Sequence, residues 1–195
     1  MVPAMATIER YVASTVPVLA DLVRCVLGES GLISLPTESF YGLAAAPFDE
    51  RALARLWAVK GRSEGKPILV LIGERHQLGP FVRSIPRAAQ ALMDAFWPGP
   101  LTIVFPAASG LSNAVTAGTG SVGIRLSAWE PLADLLCRVG PVTGTSANRE
   151  GMPPPRTAEE VQDCLGEVLD LIIDGGPTPG GQPSTVIDVQ SPIRI

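Results

Sequence analysis

Apolar runs too short to be helices recur along this chain, separated by segments of helical period. That alternation constrains the fold more than any single residue does. Leu32–Leu35, Ile68–Ile72, Leu101–Phe105, Ser121–Leu126, Val142-Thr143, Leu169–Ile173 and Thr185–Val189 read as strands. Between them, Val18, Leu19, Leu22, Val23, Val26 and Leu27 recur at helical spacing behind the cap candidate Thr15, and Gly28 or Gly31 stops the helix. Asp49 caps a second helix to Val59, and Ser84–Phe96 carries a third with Pro86 near its start. Glu130–Val139 and a capping-box helix from Thr157 to Leu165 complete the set. Trp97-Pro98-Gly99-Pro100 is a rigid turn, and Gly175–Pro183 is a long surface loop. Strands and helices mixed without internal repeats predict an α/β fold, an open twisted sheet with helices packed on it. No linker with a composition shift divides the chain, so residues 1–195 are expected to form one domain.

The composition excludes several function classes. Hydrophobic residues make up 46% and charged residues 17%, which predicts a packed globule. A net charge of −4 argues against broad binding of nucleic acid, which relies on many cation–phosphate contacts. Cys25, Cys137 and Cys164 are odd in number and far apart, with no metal-site spacing, and suit core thiols in a reducing cytoplasm. His76 is the only histidine, so a histidine-based zinc site is excluded and a Ser-His-Asp triad would have to use it. No apolar run reaches the roughly 18 residues of a membrane span, and no signal peptide is visible, so a cytoplasmic protein is expected.

Both lysines of the chain, Lys60 and Lys66, lie in one stretch, Lys60-Gly61-Arg62-Ser63-Glu64-Gly65-Lys66; the other 13 cations are arginines. A compact ammonium and a planar fork are not interchangeable, so the placement is informative. The simplest picture is a cationic loop at the mouth of a sheet, suited to a polyanion such as a nucleotide phosphate chain. The plainer alternative is a solvated connection. It is not a P-loop, because only three residues separate Gly61 and Gly65, and Pro67 follows Lys66. In a polar, glycine-containing loop, truncating Lys60 or Arg62 is expected to leave no core cavity.

Three further places carry candidate chemistry. Thr37 and Glu38 stand at the end of the strand Leu32–Leu35, where ligands of open α/β sheets tend to bind, although such residues also satisfy turns. Ser146 and Asn148 follow the short strand Val142-Thr143 and offer neutral hydrogen-bonding groups for phosphate or ribose, or for a capped turn. Arg125 lies inside an apolar strand and needs a carboxylate, from the protein or from a substrate. Gly118, Gly120 and Gly123 match GxGxxG in letters but precede a strand instead of opening a helix, so they read as a turn.

Six segments, in order and spacing, resemble the YrdC-like family of threonylcarbamoyl-adenylate synthases. They are Pro36–Leu43, Lys60-Gly61-Arg62, Phe96–Thr102, Val122–Arg125, Ser146-Ala147-Asn148 and Pro183–Asp188. The resemblance covers about residue 15 to the end. It implies an open mixed sheet around a concave cationic cavity, and the reaction of L-threonine, bicarbonate and ATP to threonylcarbamoyl-AMP and pyrophosphate. That is the first step of threonylcarbamoyladenosine formation in tRNA. The family's K-x-R and S-x-N motifs map onto Lys60, Arg62, Ser146 and Asn148 as catalytic and ATP-binding residues. Lys66 is a further candidate for the phosphates, and Thr102 matches a nucleotide-side position. Thr37 and Ser184 match positions that contact threonine, and Arg125 is inferred to take an anionic substrate group. Leu35 is the expected neighbour of the threonine methyl group. Mg2+ is expected with ATP, no protein metal site is expected, and tRNA contact is expected to be indirect, through the downstream threonylcarbamoyl transferase.

Three departures stand out: Ser63 replaces a proline, Glu150 replaces a serine, and the chain ends at Ile195 before the family's L-R-x-G segment. Weakened ATP affinity, or compensation by Arg194, is the expectation from the last, and the chain resembles the short single-domain form. The alternatives are a non-catalytic module binding double-stranded RNA and a carbamoyl-transfer domain of the hydrogenase-maturation kind.

Overall fold

In a computed structural model, which describes residues 5–61, 67–181 and 184–190, the apolar runs become strands of one mixed sheet. The chain order is β1 (Thr7–Arg10), α1 (Val16–Gly28), β2 (Ile33–Pro36), β3 (Tyr41–Ala44), α2 (Glu50–Lys60) and β4 (Leu69–Ile72), then α3 (Arg87–Phe96), β5 (Leu101–Pro106), α4 (Asn113–Thr116) and β6 (Ser121–Leu126). It closes with α5 (Glu130–Val139), β7 (Val142–Ser146), α6 (Ala158–Leu165), β8 (Leu171–Asp174) and β9 (Thr185–Asp188). Among the described residues the sheet has nine strands in the order β1-β8-β2-β3-β7-β4-β6-β5-β9. β7 runs antiparallel to both of its neighbours, β3 and β4, while β4 and β6 are parallel.

Side chains alternate across the sheet, as the pleat requires. Leu171 and Ile173 of β8 join Ile33 and Leu35 of β2 under Leu19, Val23 and Leu27 of α1 and Leu132, Leu135 and Leu136 of α5. Ile172 points the other way, into a cluster with Leu56 and Val59 of α2 and Val161 and Leu165 of α6. A third cluster packs Ala89 and Met93 of α3 against Ile103, Phe105 and Ile124 of β5 and β6. Truncating a fully buried leucine such as Leu56 to alanine should cost about 2–5 kcal/mol.

The helix boundaries follow local chemistry with two corrections. Asp49 accepts hydrogen bonds from Arg51 N–H and Ala52 N–H, and Gly61 ends α2 in the left-handed region at φ 60°. Thr157 accepts from Glu160 N–H, while the Glu160 carboxylate reaches back to Arg156 N–H. Thr15, by contrast, does not cap α1: its hydroxyl donates to Val12 O in a preceding 3-10 turn. The third helix starts at Arg87, directly after Pro86, and not at Ser84. No helix among the described residues is long and apolar enough to cross a membrane.

β1 and β3 were not expected from the sequence. β1 is an exposed edge strand that pairs with β8 and has no apolar run of its own. β3 hides in the segment read as a polar cluster: Tyr41–Ala44 pairs antiparallel with β2, from Ile33 opposite Ala44 to Pro36 opposite Tyr41. β7 also extends beyond Val142-Thr143, so that Ser146 ends the strand instead of following it.

Candidate active site

The hairpin between β2 and β3 places residues 37–40 at the rim of an open cleft over the middle of the sheet. The Thr37 hydroxyl donates to Phe40 O at 2.8 Å and accepts from Ser39 N–H at 3.2 Å, so the turn reading of Thr37 is correct. Thr37 also lines the cleft, together with Ser39 and Phe40. The cleft is open to solvent and holds a cavity of about 150 Å³. Gly42 of β3 and Gly144 of β7 leave bare backbone there, with Leu69 and Leu71 of β4 beside Gly144. A Cβ at Gly144 would sit 2.9 Å from both leucine side chains, so only glycine lets them fill this part of the cleft. Those two leucines, with Phe40 and Tyr41 and not Leu35, provide the apolar lining: Leu35 is 1% exposed and packs beneath α1 and α5.

Four residues far apart in sequence converge on this cleft: Thr37 from the hairpin turn, Arg125 from β6, Ser146 from β7 and Ser184 just before β9. Thr102 stands behind Ser184, 2% exposed, with its hydroxyl 3.3 Å from the Ser184 hydroxyl. A nucleotide-side candidate and a threonine-side candidate therefore meet directly. Arg62 and Lys66, like Arg194, lie outside the described residues.

Lys60 differs from the expectation of a solvated loop side chain. It is the last residue of α2 and only 2% exposed. Its ammonium donates to Ser146 O at 2.7 Å and Asn148 O at 2.6 Å, and approaches Ser146 Oγ at 3.3 Å and Asn148 Oδ1 at 3.2 Å. The Asn148 amide in turn donates to Met152 O. The helix aims the lysine stem under the end of β7, and the ammonium satisfies carbonyls that the strand leaves unpaired where it ends. Truncating Lys60 therefore strands buried acceptors, contrary to the expectation from the loop's polarity. The structure thus joins Lys60, Ser146 and Asn148 into one unit, with Asn148 buried and Ser146 at the cleft.

Arg125 resolves its need for a carboxylate inside the protein. Its Nε donates to Glu38 Oε1 at 3.1 Å, and Nη2 forms an ion pair with the same oxygen. The Ser127 hydroxyl donates to Glu38 Oε2 and accepts from Trp129 N–H at 3.2 Å. Burial pushes the Glu38 carboxyl up, but the charge of Arg125 and the hydrogen bonds from Ser127 and Arg125 outweigh it and hold the carboxyl below its ordinary value.

Sequence reasoning missed the residues that deliver Ser184. Segment 175–181 forms a strap from β8 toward Ser184. The Tyr41 hydroxyl donates to Gly176 O at 2.8 Å, and burial pushes its pKa up to about 12. Arg156 donates to Thr178 O and Pro179 O, while Thr178 N–H returns to Arg156 O at 2.8 Å. Gly180 N–H donates to Ser39 O at 2.8 Å, tying the strap to the hairpin turn. Gly180 has φ 73°, and a Cβ there would lie 2.9 Å from the Arg156 guanidinium. The only sequence signal was the position of Arg156, directly before a helix cap. The GxGxxG letters do form a turn: Gly118 and Gly120 have positive φ, and Gly123 lies within β6.

The match to known proteins is broad. The family model Sua5/YciO/YrdC, described as telomere recombination, matches residues 25–195. A threonylcarbamoyl-AMP synthase of Pyrococcus abyssi is 36% identical over 182 residues, covering 93% of this chain and 52% of that protein. A threonylcarbamoyl-AMP synthase of Coxiella burnetii is 36% identical over 170 residues, covering 86% of this chain and 90% of that protein. The crystal structure of P. abyssi Sua5 complexed with L-threonine superposes with a TM-score of 0.85 at 34% identity, over 97% of this chain and 55% of that one. The chain thus spans about half the length of the Pyrococcus relative and 90% of the Coxiella one. With the family model matching most of its length and a mixed α/β sheet of the same fold, the chain belongs to the Sua5/YciO/YrdC family.

Proposed function

We propose that this protein is an L-threonylcarbamoyladenylate synthase, with residues 1–195 acting as one domain in the cytoplasm. The observation that carries the reading is the convergence of Thr37, Arg125, Ser146 and Ser184 on one cleft, with Lys60 and Asn148 bound to the Ser146 turn. Relatives named for this activity, and the L-threonine complex of P. abyssi Sua5, support it.

In this reading L-threonine lies at the Thr37, Arg125 and Ser184 end, with its carboxylate toward Arg125 and its methyl group against Leu69 and Leu71. Its amine attacks the carbon of bicarbonate, and loss of water leaves an N-carboxy group. An oxygen of that carbamate then attacks the α-phosphorus of ATP, and the bond to the departing pyrophosphate breaks. Negative charge grows on the phosphoryl oxygens, so the chain's task is to place donors and cations around them. Ser146 faces the nucleotide from the cleft, Asn148 supports it from within the same turn, Thr102 backs Ser184, Arg62 and Lys66 are the candidates for the phosphates, and Lys60 acts through the Ser146–Asn148 turn it holds. Glu38 is engaged by Arg125 and Ser127 and is given no metal role in this reading. Mg2+ in this reading arrives with ATP as part of the substrate, and no side chain is assigned to it. The product would be consumed by an enzyme that transfers the threonylcarbamoyl group to tRNA, so tRNA contact is indirect.

The test is pyrophosphate release from ATP with labelled bicarbonate, and detection of the labelled adenylate. Turnover should require both L-threonine and bicarbonate; turnover unchanged without L-threonine would favour a generic ATPase. L-serine should be a poor but real substrate, because one methyl group in an apolar pocket is worth roughly 1–3 kcal/mol.

A further inference from the structure

We propose that Glu38 is a positioning residue that sets the charge at the amino-acid end of the cleft. It locks the Arg125 guanidinium and neutralises it, so that this end accepts a carboxylate and turns away phosphate. The inference rests on the synthase reading for the identity of the amino acid, but not for the behaviour of the Glu38–Arg125 pair.

The geometry divides the two residues by role. Arg125 lines the cleft, whereas Glu38 is not among the groups that do. The side chains are 6% and 17% exposed, and Glu38 has both oxygens committed, one to Arg125 and one to Ser127. Ser127 is itself fixed by Trp129 N–H and is 1% exposed. Glu38 therefore acts as a rigid brace for the guanidinium, with no freedom to swing into the cleft.

The brace leaves donors unused. A guanidinium carries five N–H groups in a fixed fork. Nε is taken by Glu38, Nη2 is buried and ion-paired with the same Glu38 oxygen, and Nη1 makes no hydrogen bond among the described residues and is left for a ligand. Unsatisfied donors of a buried cation are costly, and a carboxylate arriving from the cleft would satisfy them as a charge-assisted pair. The paired charges of Arg125 and Glu38 sum to zero. A monocarboxylate gains its hydrogen bonds there, while a phosphate brings a second negative charge toward the Glu38 carboxylate and is repelled. Hydroxyls such as Thr37 and Ser184 add hydrogen bonds without changing that balance. Glu38 thereby keeps the phosphates of the co-substrate out of the amino-acid end.

The experiment is calorimetric titration of L-threonine, with inorganic phosphate as the competing probe, on the full chain and two variants. Wild type should bind L-threonine, bind L-threoninamide at least tenfold more weakly, and show no competition from millimolar phosphate. Glu38→Gln keeps the shape and removes the charge. The lost brace should let the guanidinium drift and weaken L-threonine about tenfold, outweighing the stronger pull of an unpaired Arg125 on its carboxylate, while the freed charge should make phosphate a competitor. In turnover, kcat at saturating L-threonine should stay within about twofold while KM for L-threonine rises, as expected for lost ground-state binding. Ser127→Ala loosens the brace but leaves both charges. It should weaken L-threonine several-fold without admitting phosphate. Phosphate competing with L-threonine in the wild type overturns the proposal, and this arm needs no variant. So does a folded Glu38→Gln or Ser127→Ala protein with wild-type affinity. Absence of adenylate formation with intact L-threonine binding would end the synthase reading and leave Glu38 to be judged by calorimetry. A wild type that binds no L-threonine overturns both.

Discussion

Two buried cations, Arg125 at the cleft and Lys60 beneath the strand end beside it, are held in opposite ways. The Lys60 ammonium is gripped by backbone carbonyls and side-chain oxygens of Ser146 and Asn148, within one turn at the end of β7. The Arg125 guanidinium is gripped by a carboxylate from the β2–β3 hairpin, itself tied to Ser127. A cation bound to main chain shapes that main chain, so its removal deforms the site. A cation bound to another side chain can be retuned by changing the partner while the backbone stays put. In the proposed reading, Lys60 belongs to the architecture of the nucleotide end and Arg125 to selection at the amino-acid end.

The largest expected effect lies at Lys60. Lys60→Met should strand the carbonyls of Ser146 and Asn148 at about 1–3 kcal/mol each. At roughly 2–4 °C per kcal/mol for a chain of this size, the Tm should fall by several degrees. Pyrophosphate release should drop about a hundredfold or more, since a displaced Ser146 mispositions the reactants. Lys60→Arg keeps the charge, but a broad planar fork does not fit the space shaped for a compact ammonium, so it should also lose most activity. A Lys60→Met protein of wild-type stability would erase the architectural half of the comparison.

Next in size is the ion pair. Arg125→Met leaves a mostly buried carboxylate without its partner and should cost about 3 kcal/mol in urea denaturation. The double variant Glu38→Gln/Arg125→Met should recover part of that loss, giving a coupling energy of about 1–3 kcal/mol in a double-mutant cycle. Additive losses would show that the pair is not the unit described here.

Acid sharpens the same contrast. The folded Glu38 carboxyl sits below its ordinary value of 4.5, so the unfolded chain takes up the proton first as pH falls. Its stabilising contribution is therefore fully present above the ordinary glutamate range and is lost as pH falls through the lower, folded value. The stability difference between wild type and Glu38→Gln, measured by denaturant titration, should be flat at neutral pH and shrink below about pH 4.5. A difference that instead grew in acid would reverse the assigned sign.

The smallest effect is expected at the strap. Arg156→Ala removes the guanidinium contacts to Thr178 O and Pro179 O, which are partly exposed, and should cost about 1 kcal/mol. Because the strap leads to Ser184, KM for L-threonine should rise several-fold with kcat little changed. An unaltered KM would mean that Ser184 is placed without help from Arg156.

Much of the fold was legible in the sequence, because long apolar periods leave few choices. The helices from Asp49 to Lys60 and from Glu130 to Val139, and strands β4, β5 and β6, stand where their patterns put them. Legibility failed where burial did not come from an apolar run. Tyr41–Ala44 is fully buried yet follows a turn rich in polar residues, and β1 is exposed along its whole length. At the site, the positions of Thr37, Arg125, Ser146 and Ser184 were readable as separate candidates at strand ends or within a strand. Arg156 and Ser127 were not, because an arginine and a serine in a loop look alike whether they brace a site or face solvent.

By itself the sequence determined most of the element types, the mixed α/β class and the family, since periodicity, most caps and six ordered motifs are local properties of the chain. It also determined that Arg125, a cation in an apolar strand, needs a carboxylate. Only the tertiary structure decided which one, because Glu38 and Arg125 meet through the pairing of nonadjacent strands and lie 87 residues apart. The same holds for Lys60, whose polar surroundings suggested solvent until the end of β7, 86 residues away, was laid over its ammonium. Local pattern specifies what a side chain requires; the path of the backbone through the sheet specifies what meets the requirement.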